Sequence, residues 1–167
     1  MTESNWIVMS ITRDADVLVT RAKAAVFAAE MGFEERACAE IAIVVSELAT
    51  NVVKYAGRGS VTLAEYEDSG TSGIEILAED NGPGILNPRA AIVDGYSEGR
   101  QLSADDLPQS RRGMGTGLGA VHRLMDHVQL ENRPEGGLRC VARKLLDRTT
   151  RSRQRGASAL SGEANHV

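Results

Sequence analysis

The sequence predicts a two-layer α/β sandwich, in which a mixed, mostly antiparallel sheet is covered on one face by helices. Three observations predict it. About five short strand-like runs are spread along the chain, most of them arranged as hairpins. Two long helical patterns lie between the first strand and the others, and a shorter one follows a glycine-rich run. Elements in this order bury their apolar faces in two packed layers. With 167 residues the chain amounts to one domain, large enough to build a core without disulfide staples. No internal repeat and no second domain is visible.

Trp6 to Ile11 alternates weakly and reads as a strand. Asp14 is placed to cap a first helix, whose apolar positions Val17, Leu18, Ala22, Ala25, Val26 and Ala29 follow the helical period. Gly32 is a suitable stop. A second helix begins near Glu34 and runs to about Ala56, where Gly57 and Gly59 end it. Ser60 to Tyr66 and Ile74 to Ala78 read as a hairpin, with Asp68 to Gly73 as its turn. A short helix is expected around Pro88 to Val93. A long polar segment without period follows, from Gly95 to Arg112. The next helix covers Leu118 to Asp126, and His127 to Asn132 and Leu138 to Leu145 form a final pair of strands. From Asp147 onward the residues are polar and dotted with arginine, which predicts a disordered tail over 147–167.

Composition narrows the function classes. Aromatic residues make up 4% of the chain and the formal net charge is −4. Scarce aromatics argue against stacking platforms for single-stranded nucleic acid, and the net negative charge argues against a general nucleic-acid or membrane-surface binder. The two cysteines, Cys38 and Cys140, are far apart and belong to no metal-binding pattern. The start of the chain lacks a basic segment followed by an apolar one, and no apolar run reaches membrane-spanning length. A cytoplasmic protein with reduced thiols is expected.

Three segments carry chemistry. In Val44 to Val61, Glu47 and Asn51 stand four residues apart on one helix face and Lys54 continues along it, while Val44, Leu48, Val52 and Tyr55 mark another stripe. A Glu followed one turn later by an Asn offers a base and a neutral oxygen ligand for Mg²⁺, an ion that fills most of its shell with water and substrate phosphates. A solvated helix face would also produce this pair. In Glu79 to Ile85 an acid ends a strand and is followed by Gly82 and Gly84. That puts the Asp80 carboxylate beside exposed backbone, where it can accept a hydrogen bond from an exocyclic amine. A turn built on Asp-Asn-Gly would look the same, and the acid spacing of an EF-hand is missing.

In Arg111 to Leu124, glycines 113, 115, 117 and 119 alternate into a helix start, which makes a cradle of backbone N–H groups suited to phosphate. A flexible hinge is the plain alternative. No Gly-Lys-Ser/Thr is present, so this is not a Walker loop. Residues 115–120 match the letters of a dinucleotide fingerprint, but the polar run from Asp105 to Arg112 cannot be the apolar strand that such a fingerprint requires.

Taken together and in this order, the segments resemble the GHKL, or histidine-kinase-like, ATPase family. Glu47 and Asn51 match its N box, residues 80–84 its first glycine box and residues 113–119 its second. The resemblance covers about the first 145 residues and implies the Bergerat ATP-binding fold over 1–146, with an ATP lid at about 95–113. The wording SELATNVVKYAG, EDNGPGI and GMGTGLGAVHRLMD is similar to the small serine/threonine kinases of bacterial partner-switching modules, in particular the switch kinases of the stressosome pathway and the related anti-sigma factor kinases.

The resemblance implies roles at the matching positions. Glu47 would be the general base and Asn51 the ligand of Mg²⁺ on ATP. Asp80 would bond the adenine amine beside Gly82 and Gly84, and Gly113, Gly115, Thr116, Gly117, Leu118 and Gly119 would wrap the phosphates. The substrate would be a small STAS-domain antagonist protein. A downstream phosphatase or a sigma factor would be a further partner, and relatives allow a homodimer. Many relatives carry a Thr after the glycine of the last hairpin; Leu138 stands there in this chain. An anti-sigma factor that sequesters a sigma subunit and uses its kinase activity to switch partners is the competing reading.

Overall fold

The computed structural model describes residues 5–91, 96–97, 100–101 and 117–147. Most of the expected lid and nearly all of the expected tail lie outside them. In chain order the elements are β1 (Trp6–Ile11), α1 (Asp14–Glu30), α2 (Glu35–Asn51), a π-helical turn (Val52–Ala56), β2 (Gly59–Asp68), β3 (Thr71–Asp80), α3 (Pro88–Ala91), β4 (Tyr96–Ser97), β5 (Arg100–Gln101), α4 (Gly117–Leu124), β6 (His127–Asn132) and β7 (Leu138–Leu145). The main sheet has the order β1-β2-β3-β7-β6, and β4 and β5 pair with each other. Each pairing in the main sheet is antiparallel. The two-layer α/β architecture expected from the sequence is present, with antiparallel pairing throughout the described strands.

Strand alternation builds the core. Met9 lies opposite Val61, Leu63 opposite Ile76, Ala78 opposite Cys140 and Ala142 opposite Val128, so that one face of the sheet is apolar. Against it pack Val17, Ala24 and Phe27 of α1, and Ile41, Val44, Val45 and Leu48 of α2. Each of these side chains larger than alanine contributes about 1.5–3 kcal/mol when fully buried. Burial also pushes the Cys140 thiol up to about 12, and both cysteines are free.

Helix α1 departs from its expected face. Of the six apolar positions read from the periodicity, only Val17 is buried; Leu18 is 69% and Val26 57% exposed. The buried stripe is Val17, Thr20, Ala24, Phe27 and Ala28. An alanine-rich helix is apolar on opposite sides, and two stripes of helical period compete on α1, of which the one containing Leu18, Ala22 and Val26 faces away from the core. The cap differs as well. Asp14 is already helical, and Asp16 reaches back to accept from the Thr12 N–H at 2.9 Å, the Thr12 hydroxyl at 2.8 Å and the Arg13 N–H at 3.1 Å. Those bonds hold its carboxyl below its ordinary range, the Thr12 N–H most of all. Gly32 does end the helix, with φ +87°.

Two further boundaries shift. The hairpin turn between β2 and β3 is only Ser69-Gly70, both at positive φ, a tight primed turn that lets Thr71 to Gly73 join the strand. The second helix does not continue as one α-helix to Ala56: it ends at Asn51 and passes into the π turn, closed by the Gly57 N–H on the Val52 carbonyl at 2.9 Å. Lys54 therefore leaves the α-helical phase of Glu47 and Asn51, and its ammonium lies 4.8 Å from the centre of the Tyr55 ring. No helix among the described residues is long and apolar enough to cross a membrane.

Candidate functional site

The apolar stripe of α2 is fixed against the sheet by Val44, Val45 and Leu48, so Glu47 and Asn51 fall on the flank of the helix that faces α4. The first residue of α4, Gly117, closes that flank. A β-carbon on Gly117 would lie 3.5 Å from Glu47 Oε2 and 3.8 Å from both Asn51 Oδ1 and Nδ2. Glu47, Asn51 and the start of α4 thus meet at one point. Both side chains are half-buried. Among the described residues neither Glu47 nor Asn51 has a side-chain hydrogen bond or ion pair. Burial alone pushes the Glu47 carboxyl above its ordinary range, as desolvation does for any carboxylate without a compensating donor.

A half-buried carboxylate with no cation partner among the described residues, next to an amide with no partner among them, has the chemistry of a candidate base beside a candidate oxygen ligand. Among the described residues no cluster of three or more His, Cys, Asp or Glu side chains is placed to hold a metal. A single amide oxygen beside one carboxylate suits Mg²⁺ carried in on a nucleotide rather than an ion held in a protein cage.

The second part of the site is the end of β3. Asp80 Oδ1 accepts the N–H of Gly82 at 2.8 Å and of Leu138 at 3.1 Å. Oδ2 receives no hydrogen bond among the described residues. Leu138, which follows Gly137 of the last hairpin, meets this carboxylate through its backbone N–H. Gly82 is required by close packing: a β-carbon there would come within 2.8 Å of Ala56 Cβ and 3.2 Å of Asp80 Oδ1. Ala56 ends the π turn that starts directly after Asn51, so this one turn connects the helix face bearing Glu47 and Asn51 to the carboxylate at the strand end. Insertions of this kind recur at functional sites, where they re-aim a helix end.

Gly84 has φ +72° and lies against Asn132, where a β-carbon would collide with the amide oxygen. Leu118 packs its side chain against the core and Gly119 is buried, so these two offer a ligand only backbone. Gly113, Gly115 and Thr116 lie outside the described residues. His122 and Arg123 are exposed on α4. Two residues of the β6–β7 hairpin were not legible as part of the site, Asn132 and Arg133. The Asn132 amide brackets Ile85, accepting its N–H at 2.9 Å and donating to its carbonyl at 2.8 Å. Arg133 donates to the Asp80 carbonyl at 3.0 Å and to Asn81 Oδ1 at 3.3 Å.

An open antiparallel sheet, helices on one face and an acidic strand end facing a helix pair together define an α/β fold of the GHKL ATPase type. The chain belongs to the histidine kinase-like ATPase domain family, whose model matches residues 12–142. It is 35% identical over 136 residues to the serine/threonine-protein kinase RsbT of Bacillus subtilis (strain 168), an alignment covering 81% of this chain and 93% of that protein. It is also 29% identical over 149 residues to the serine-protein kinase RsbW of Bacillus cereus (strain B4264), covering 85% of this chain and 86% of the relative.

Proposed function

We propose that the chain is an ATP- and Mg²⁺-dependent serine/threonine protein kinase of a bacterial partner-switching module, acting in the cytoplasm on a small STAS-domain antagonist protein. The observation that carries this reading is the meeting of Gly117 with Glu47 and Asn51. There the Glu47 carboxylate, unpaired among the described residues, the Asn51 amide and the first residue of α4 lie within one van der Waals layer. The names of both relatives, each a kinase acting on serine or threonine, support the same reaction class.

In this reading Asp80 Oδ2 accepts a hydrogen bond from the adenine amine, and the glycine-rich helix start offers backbone N–H groups to the phosphates. Glu47 takes the proton of the acceptor's Ser or Thr hydroxyl as its oxygen bonds to the γ-phosphorus. The bond from that phosphorus to the β–γ bridging oxygen breaks, and ADP leaves with the electron pair. A positioned base of this kind supplies about 10²–10⁴ in rate. Asn51 Oδ1 would hold Mg²⁺, which neutralises charge on the transferred group when bound.

The test is transfer of label from γ-labelled ATP, with Mg²⁺, in extract from the organism that makes this protein, beside a Glu47→Ala control. Label on one small protein that disappears in the control supports the kinase and identifies its substrate. If ATP binds and no label moves, the kinase reading fails. Co-purification of a sigma subunit would then favour a sequestering role.

A further inference from the structure

The segment from Asn81 to Ile85, directly after the end of β3 at Asp80, has two glycines, a proline and no helix or strand of its own. Such a loop holds one shape only if its backbone groups are tied elsewhere. In this chain the ties come from the far hairpin. Arg133 donates to the carbonyl of Asp80 and to the side chain of Asn81, the Leu138 N–H binds Asp80 Oδ1, and Asn132 brackets both backbone groups of Ile85. Glu135 in turn aims the guanidinium, accepting from Arg133 Nε at 3.1 Å and from its Nη2. The glycines make this approach close enough. A β-carbon on Gly137 would overlap the Asp80 carbonyl oxygen, and Gly137 has φ +95°.

Both ends of the segment are therefore fixed by side chains 47–53 residues away in sequence. Asp80 Oδ1 is occupied by two backbone N–H groups, which leaves Oδ2 as the carboxylate oxygen without a hydrogen bond among the described residues. We propose that Asn132 and Arg133 are positioning residues for purine selection: they hold the Asp80–Ile85 segment so that Oδ2 faces a base bearing an exocyclic amine. The proposal rests on the reading of Asp80 as the acceptor of that amine. Neither residue touches the base itself.

The experiment measures binding of ATP, and of purine riboside triphosphate in which hydrogen replaces the 6-amino group, to the full chain by calorimetry with Mg²⁺. The parent is compared with Asn132→Ala, Arg133→Gln and Arg133→Lys. The parent is expected to prefer ATP by about tenfold or more, the worth of a hydrogen bond to a charged acceptor. In Asn132→Ala and Arg133→Gln the preference shrinks about threefold or more through weaker ATP binding, while the amine-free nucleotide binds within about twofold of parent. Arg133→Lys, which keeps a donor for the Asp80 carbonyl, recovers part of the preference. Equal weakening of both nucleotides, or no change in either, overturns the positioning role and leaves the reading of Asp80 intact. A parent that binds the two nucleotides equally overturns the Asp80 reading, and this proposal with it. If Asn132→Ala gives no cooperative melt, the two Arg133 variants decide the matter.

Discussion

Lys144 of β7 donates to Glu40 of α2 at 2.8 Å, with 16% and 18% of the two side chains exposed. The same ammonium donates to the Leu124 carbonyl at 2.8 Å, at the negative end of α4. One cation thereby joins the sheet to both helices that form the Glu47 flank. Arg36, itself largely exposed, adds a second contact to Glu40 at 2.9 Å. Lys144→Met should destabilise the fold by about 2–3 kcal/mol, at or below the lower end for breaking a buried pair because Arg36 still partly compensates Glu40. Urea unfolding at neutral pH checks this. Adding Glu40→Gln should recover most of the loss, since no part-buried charge is then left without its partner.

The pH dependence of that pair has a definite sign. The hydrogen bond from Lys144 is the largest cause holding the Glu40 carboxyl below its ordinary range. A depressed folded-state pKa contributes stability that is present above the unfolded value and lost as pH falls through the folded one. The gap in stability between parent and Lys144→Met should therefore be widest near neutrality and narrow in acid. A gap that stays constant from pH 7 to pH 3 would show that the ion pair is not its source.

Glu47 behaves oppositely. Its carboxyl is raised by burial, so the folded state prefers it protonated. Its contribution to stability is fullest below the unfolded pKa and is lost as pH rises through the folded pKa. At neutral pH the charged group costs stability, and Glu47→Gln should melt above the parent there but not in acid. The same variant should lose about 10²–10⁴ of phosphoryl transfer. Transfer by the parent should rise with pH along a limb above the usual glutamate range. A Glu47→Gln protein that melts lower at pH 7 and keeps its activity would remove Glu47 from the reaction.

How much of this was readable in the sequence depended on how far apart the cooperating residues stand. β1, β6 and β7 have the bounds that their alternation predicts, and Glu47 and Asn51 lie together because one helical turn brings them there. The face of α1 was misread because Leu18, Ala22 and Val26 repeat as regularly as Ala24, Phe27 and Ala28, and no polar residue separates the two stripes decisively. Nothing in Val52 to Ala56 distinguishes a π turn from an α turn; the close fit of Ala56 against Gly82 accompanies the change. The Asn132 and Arg133 contacts span 47–53 residues, beyond any local pattern. Leu138 in place of Thr was legible as a departure, but not that its N–H would serve Asp80.

Two glycines of the site should respond differently to a methyl group. At Gly117 the added carbon would sit at ordinary contact distance, 3.5 Å from Glu47 Oε2. Gly117→Ala should fold as stably as the parent or better, since alanine gains up to about 1 kcal/mol over glycine in a helix. Its methyl group would occupy the space between Glu47 and Asn51, and on the proposed reading phosphoryl transfer should fall about tenfold or more, as a small misplacement of reacting groups can cost more than that. At Gly82 the added carbon would meet Ala56 Cβ at 2.8 Å. Gly82→Ala should lower stability by about 1–3 kcal/mol through overpacking. Thermal melts paired with transfer assays separate the two cases, and a Gly117→Ala protein with full activity would sink the assignment of that gap to the reaction.

Asp80→Asn tests the strand-end carboxylate with the least disturbance. The amide oxygen of Asn can still accept from the Gly82 and Leu138 N–H groups, which Asp80 Oδ1 now serves. The other position changes from an acceptor, Oδ2, to an N–H₂ donor, which on the proposed reading would meet another donor on adenine. Stability should therefore change by less than about 1 kcal/mol, while ATP binding weakens by about 10- to 100-fold, the worth of a charge-assisted bond. Asp80→Ala is a different perturbation: it leaves two backbone N–H groups without their acceptor, at about 1–3 kcal/mol each, and so confounds folding with binding. The diagnostic comparison is Asp80→Asn with ATP and with purine riboside triphosphate. Loss confined to ATP assigns the amine to Oδ2; equal loss of both nucleotides would mean that the carboxylate shapes the pocket without reading the base.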